Sequence, residues 1–283
     1  MRDKVTVPSV QARKSGVKLT MITAYDAPIA RIADRALADI ILVGDSVGNN
    51  VLGYNDTLSV TVEMMIYHTA AVTRTHPRAL VVSDLPWLSY HLSKEETVRN
   101  AGRLVREGGA EAVKLEGGRK RLPMVEALLA AEIPVMGHLG LTPQSIHTMG
   151  GYKVQGKRAE AARELVADAR ALAAAGVFAI VLEGVPATLA HIVTEEIPIP
   201  TIGIGAGPYC DGQVLVFHDV LGFHDIRPPK FVRQYAHFAD AATEALQYFF
   251  ADIRAGTFPS DSESYQMGEQ DERNLRTLLR KDE

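Results

Sequence analysis

Five short apolar runs in this sequence stop on a residue that can bind a cation or move a proton. "IILVGDS" reaches Asp45, "ALVVSDL" Asp84, "AVKLEGG" Glu116, "IPVMGHLG" His138 and "AIVLEGV" Glu183. A run of Ile, Leu and Val asks to be buried, whereas a carboxylate resists burial unless it is paired or ligated. Successive side chains on a strand point to opposite faces, so residues two apart share a face. In "AVKLEGG", Val113 and Leu115 suit a strand–helix interface, which turns Lys114 and Glu116 the other way. The same parity groups Val43 with Asp45, Val82 with Asp84, Met136 with His138, and Val181 with Glu183. If these strands lie side by side, their polar ends form one ring. Four carboxylates in one pit repel: two unit charges about 4 Å apart cost roughly 4 kcal/mol at an effective dielectric near 20. One lysine, Lys114, cannot balance four acids, so either some are protonated or a cation is present. Carboxylate oxygens with no thiolate nearby suit Mg²⁺ or Mn²⁺ better than Zn²⁺.

Each residue alone has a plainer reading. "GDS" before a helical stretch is a pattern for an N-cap at Asp45. Lys114 could be a surface cation with a buried stem, and His138 a hydrogen-bonded core histidine. Only the ensemble points to a site.

The elements that would position such a ring can be read from the same runs. Strands are expected at about 18–25, 40–45, 79–84, 111–116, 133–138, 178–183, 199–204 and 213–218. Between them lie helical patterns such as "APIARIADRALA", "TVEMMIYHTAAVTRTH" and "KRAEAARELVADARALAAAG". Strands that are apolar on both faces and alternate with helices imply a parallel sheet covered by helices. Eight such units in roughly 220 residues match a (β/α)8 TIM barrel, whose active site forms at the C-terminal ends of the strands. The alternative is an open doubly wound sheet, which usually has fewer strands. His218 and Asp219 are read as the end of the eighth strand. A single barrel domain with a C-terminal helix is expected over 1–256, and a polar, charged tail over 257–283, in which "ERNLRTLLRK" could form a helix.

Composition narrows the function. The chain has 283 residues, 47% apolar, with a formal net charge of -4. Nothing suggests a nucleic-acid partner or a membrane surface, and no apolar run approaches the roughly 20 residues of a spanning helix. The N-terminal stretch "MRDKVTVPSVQARKSG" lacks the apolar centre of a secretory signal, so a cytoplasmic protein is expected. The lone Cys210 can form neither an internal disulfide nor a thiolate cluster. "IGIGAG" lacks the spacing of a dinucleotide fingerprint; close backbone approach at a strand mouth is the expected use of its glycines. Ser46 beside Asp45 could be a nucleophile, but no "GxSxG" elbow surrounds it.

Longer stretches carry a resemblance. "MITAYDAPIA", "LVGDSVGNNVLGYNDTL", "DLPWLSY", "VKLEGG", "GHLGLTPQS", "GGYKVQG", "IVLEGVP", "IGIGAG" and "DGQVLVFHDVLG" occur in this order from about residue 20 to residue 235. The sequence resembles the ketopantoate hydroxymethyltransferase family. The resemblance implies a metal-dependent (β/α)8 barrel of the phosphoenolpyruvate- and pyruvate-handling type, built as a homo-oligomer, typically a homodecamer. It implies transfer of a hydroxymethyl group from 5,10-methylenetetrahydrofolate to 3-methyl-2-oxobutanoate, giving 2-dehydropantoate on the way to pantothenate. By motif, Asp45, Asp84 and Glu116 match the family's metal site, with Mg²⁺ the expected ion and Mn²⁺ an alternative. Asp45, Ser46, Asp84 and Lys114 match its substrate contacts, and Glu183 its proton acceptor. A 2-oxo acid fits such a ring, because a Lewis acid at its keto oxygen makes the C3 proton removable. Two other readings stay open: a barrel lyase or mutase acting on another 2-oxo acid without folate, and a catalytically silent barrel used for binding or assembly.

Overall fold

The computed structural model describes residues 3–223 and 228–280. Eight parallel strands close into a barrel in sequence order: β1 (Leu19–Thr23), β2 (Ile40–Val43), β3 (Leu80–Asp84), β4 (Ala112–Glu116), β5 (Val135–Gly140), β6 (Ala179–Glu183), β7 (Thr201–Ile204) and β8 (Gly212–Leu215). All eight expected strands are present. Most of their residues are buried on both faces, with Thr20 of β1 and Gln213 of β8 exposed. Ile41, Val43, Val81, Val113, Leu115, Val135, Ile180 and Leu182 pack outward in the main core with helix residues such as Ala33, Val72, Leu104, Leu128 and Leu172. Ile40, Leu42, Leu80, Val82, Met136, Val181, Ile202 and Val214 fill the interior of the barrel.

The floor of the barrel is closed by the N-terminal segment. Val5 and Val10 join the interior core, and the short helix Val7–Gln11, which carries Val10, is opened by a reciprocal capping box of Thr6 and Ser9. Above this floor, a cavity opens at the strands' C-terminal ends. Register sets what meets there. Asp84 lies beside Lys114 across β3 and β4, Glu116 beside His138 across β4 and β5, and Gly140 beside Glu183 across β5 and β6.

Two local readings need correction or gain a cause. His218 and Asp219 do not end β8, which stops at Leu215; they sit in the helix Phe217–Leu221. In "IGIGAG", Gly207 has a left-handed backbone (φ +76°), and a β-carbon there would lie 2.4 Å from that of Ala187. The glycine therefore serves close packing against the helix Ala187–Glu196, as expected.

The chain divides into two compact units. The first is the barrel, running to Val220 and taken up again as far as Gln234; the second begins at Leu221 and continues from Tyr235. The second unit holds the helices Phe238–Ala255 and Glu269–Leu279. The latter contains most of the "ERNLRTLLRK" stretch. Among the described residues, no helix is long and apolar enough to cross a membrane.

Candidate active site

The polar strand ends converge as the ring requires, on a small cavity of about 110 Å³ at the barrel mouth. Asp45, Ser46, Asp84, Lys114, Glu116, His138 and Glu183 all line it. Parity delivers most of them. Val82, Met136 and Val181 face the interior, and Asp84, His138 and Glu183, two residues on, follow them. Asp45 arrives differently. Val43 packs outward, so strand parity would send Asp45 away from the site. β2 ends at Val43, however, and the chain turns through Gly44 into the short helix Val47–Asn50. That turn swings Asp45 inward. A β-carbon at Gly44 would lie 2.8 Å from Ser46 Oγ and 3.4 Å from Asp84 Oδ2, so only glycine fits the turn without displacing a neighbour. The expected pairing of Val43 with Asp45 on one face is thus wrong, although the placement of Asp45 in the ring is right. Nor does the Asp45 side chain cap the helix: its Oδ2 accepts from Gln144 Nε2 at 2.7 Å.

Lys114 is buried and holds the centre. Its Nζ lies 2.9 Å from Asp84 Oδ1 and 3.4 Å from His138 Nδ1. Burial pulls the ammonium pKa down, but Asp84, Glu116 and Asp45 outweigh it and hold the pKa above the ordinary lysine value. Asp45 moves the opposite way to a paired acid. Burial raises its pKa, Asp84 and Glu116 add to the rise, and Lys114 and the Gln144 hydrogen bond only partly oppose it. The ring as it stands therefore carries more negative charge than one lysine can compensate. His138 bridges two acids, with Nδ1 3.4 Å from Glu116 Oε1 and Nε2 3.3 Å from Glu183 Oε2. Burial and Lys114 lower its pKa, yet the contacts with Glu116 and Glu183 prevail and push it up to about 9. Glu183 is the least enclosed of the acids, its side chain 16% exposed, at the edge where a second substrate could approach. Ser46 Oγ lies 2.8 Å from the hydroxyl of buried Tyr25, which fixes its direction.

The acids suit a hard cation, and two of them have room for it. Asp84 Oδ1 is buried and, among the described residues, receives no well-directed hydrogen bond despite its proximity to Lys114. The Asp45 oxygen not held by Gln144 is the other available donor. Both Glu116 oxygens are engaged, Oε2 by the Gln144 backbone N–H at 3.0 Å and Oε1 near His138. Accordingly, no cluster of three or more acidic, histidine or cysteine groups closes a metal cage by itself among the described residues. Mg²⁺ does not ask for one, because it is usually held by one or two carboxylates together with water or substrate oxygens.

Sequence reasoning missed Tyr25, Tyr90 and Gln144. Tyr25 follows β1 by two residues and Gln144 sits in the "LTPQS" turn after β5, so position past a strand end was an available signal. A larger cleft of about 720 Å³ opens between Gly117–Lys120 and the helix Ala159–Ala175. Its prominent cation, Arg119, is paired with Asp168 and Glu164, which leaves the ring as the better candidate.

Comparison with known proteins decides the family. The sequence model described as ketopantoate hydroxymethyltransferase matches residues 4–261. The chain belongs to the ketopantoate hydroxymethyltransferase family. It is 56% identical over 265 residues to the 3-methyl-2-oxobutanoate hydroxymethyltransferase of Moorella thermoacetica, a match covering 93% of this chain and 98% of that protein. It is 52% identical over 278 residues to the enzyme of the same name from Syntrophobacter fumaroxidans, covering 98% and 99% of the two chains. Membership of this hydroxymethyltransferase family makes the chain a transferase and sets aside a purely structural barrel. Among solved structures, a 2,3-dimethylmalate lyase of the PEP mutase/isocitrate lyase superfamily aligns with a TM-score of 0.57 at 16% identity, over 96% of this chain and 98% of that one. That likeness is one of fold alone, and it agrees with the closed eight-stranded parallel barrel.

Proposed function

We propose that the chain transfers a hydroxymethyl group from 5,10-methylenetetrahydrofolate to 3-methyl-2-oxobutanoate, giving 2-dehydropantoate and tetrahydrofolate, the first committed step toward pantothenate. Water supplies the new hydroxyl. The observation that carries this reading is the meeting of Asp45, Asp84, Lys114 and Glu183 around one cavity in a chain of this family. Asp45 and Asp84 would hold Mg²⁺ or Mn²⁺, with Glu116 contributing its charge beside them. When bound, the metal supplies Lewis acidity to the keto group of the 2-oxo acid.

The remaining work belongs to the chain's own side chains. Lys114 and the Ser46 hydroxyl, held in direction by Tyr25, receive the substrate carboxylate. Glu183 takes the C3 proton onto its carboxylate, and the carbon left behind attacks the one-carbon unit carried by folate. His138 keeps the Glu183 carboxylate in place through the 3.3 Å contact. Folate would enter from the exposed side of Glu183. A lyase or mutase reading has only fold likeness behind it, at 15–16% identity. The same family resemblance supports work in the cytoplasm as a homodecamer. Exposed Leu246, Phe249, Phe250 and Ile253 on the helix Phe238–Ala255 add support for assembly, since apolar surface of this kind marks interfaces.

The proton step has a direct test. Glu183→Gln keeps size and removes the base. The variant is expected to bind Mg²⁺ and 3-methyl-2-oxobutanoate. It is expected to lose exchange of the C3 hydrogen with deuterated water, followed by NMR without folate, by at least about 10²-fold. Exchange at the wild-type rate would assign the base to another group, with His138 the next to test.

A further inference from the structure

The strand ends that carry the acids are tied together by a side chain that has no part in the proposed chemistry. Gln144 is buried in the turn after β5. Its Nε2 donates to Asp45 Oδ2 at 2.7 Å and to the Leu85 carbonyl at 3.0 Å. Its backbone N–H donates to Glu116 Oε2 at 3.0 Å. Its Oε1 accepts the Tyr90 hydroxyl proton at 2.6 Å, and the Tyr90 oxygen accepts in turn from the Glu116 N–H at 3.2 Å. One residue thus links the ends of β2, β3 and β4 to the loop after β5.

The orientation of the amide is fixed by its partners. A backbone carbonyl can only accept, so the NH₂ group must face Leu85. The Tyr90 hydroxyl donates to the opposite side, which a flipped amide could not accept. Asp45 consequently has one oxygen occupied, and the choice of the other is made before any ligand arrives; Glu116 is held by the same residue through its Oε2. A neutral donor suits this task. It holds an anion by hydrogen bonds without cancelling its charge, whereas a lysine at the same place would compete with a cation for the site.

We propose that Gln144, locked by Tyr90, is a positioning residue for the metal site, presenting Asp45 through a single oxygen and steadying Glu116 beside it. The inference rests on the reading of Asp45 and Asp84 as the residues that hold a divalent cation, with Glu116 beside them. Supporting groups of this kind typically account for 10–100-fold in metal affinity.

The test uses Mn²⁺ as the probe and the full-length protein. Free Mn²⁺ is quantified by its EPR signal in titrations of wild type, Gln144→Met and Tyr90→Phe, with unfolding midpoints measured on the same metal-free samples. Gln144→Met keeps approximate volume and removes every side-chain hydrogen bond. It is expected to weaken Mn²⁺ binding about 10–100-fold. Tyr90→Phe keeps the ring and removes the hydroxyl that locks the amide and accepts from the Glu116 N–H, and is expected to weaken binding in the same direction by less. It also carries the test if Gln144→Met does not fold. Variants with lowered midpoints but wild-type Mn²⁺ affinity would show a merely structural role and overturn the inference alone. A wild-type protein that does not bind Mn²⁺ would overturn the metal reading, and the inference with it.

Discussion

Lys114 carries the electrostatics of the ring at the scale of single residues. With His138 it is a cation among Asp45, Asp84, Glu116 and Glu183, and it is 5% exposed, so water screens it little. Removing one partner of a buried ion pair typically costs about 3–5 kcal/mol, because the other charge is left uncompensated. Lys114→Met should therefore lower the stability of the metal-free protein by about that amount in urea unfolding. Added Mg²⁺ should restore part of the loss by supplying the missing positive charge. An unchanged midpoint would mean that the ring is less charged than its composition implies. His138 adds a pH dependence. Its pKa is pushed from 6.5 up to about 9 by Glu116 and Glu183 against the effects of burial and Lys114. A group whose folded-state pKa is raised stabilises fully below its unfolded value and loses that contribution as pH rises through the folded one. The metal-free protein should lose this contribution between about pH 6.5 and 9, and His138→Gln should flatten that part of the profile. A parallel fall in both proteins would place the titration elsewhere.

Elements explain what the sequence could and could not disclose. A parallel barrel covers most of both faces of its strands, so they read as largely apolar runs, and an acid at the end of such a run stands out. That contrast made Asp84, Glu116, His138 and Glu183 legible together with their inward direction. Asp45 was legible as a candidate but not in its direction. Its period-two relation to Val43 breaks at Gly44, where β2 gives way to the helix Val47–Asn50. Gln144 was hidden for another reason. It acts on Asp45, 99 positions earlier in the chain, and a polar residue in a turn carries no sign of so distant a partner. The helix Glu269–Leu279 was legible as a possibility, and it lies beyond residue 261, where the family model ends. Deleting 262–283 should leave turnover within about twofold of wild type, because surface changes away from specific contacts usually cost under about 0.5 kcal/mol. A truncated protein that stays folded and assembled but is inactive would show that this segment serves the site.

On the scale of the whole molecule, the barrel brings together residues from five strand ends and floors the cavity with its own N-terminal segment. Every group proposed to act lies within the first unit. The ring supplies a cation site, an ammonium for a carboxylate and a base at the open edge, which together suit deprotonation of a 2-oxo acid before a one-carbon unit is accepted. Product analysis tests this most directly. The purified protein is incubated with 3-methyl-2-oxobutanoate and 5,10-methylenetetrahydrofolate labelled with ¹³C in its one-carbon unit, with Mg²⁺ or with chelator, and the products are read by NMR. 2-Dehydropantoate labelled in its hydroxymethyl carbon is expected when both substrates and Mg²⁺ are present, and that product is expected to be lost in chelator. No labelled product with Mg²⁺ present, or full turnover in chelator, would contradict the proposed transfer.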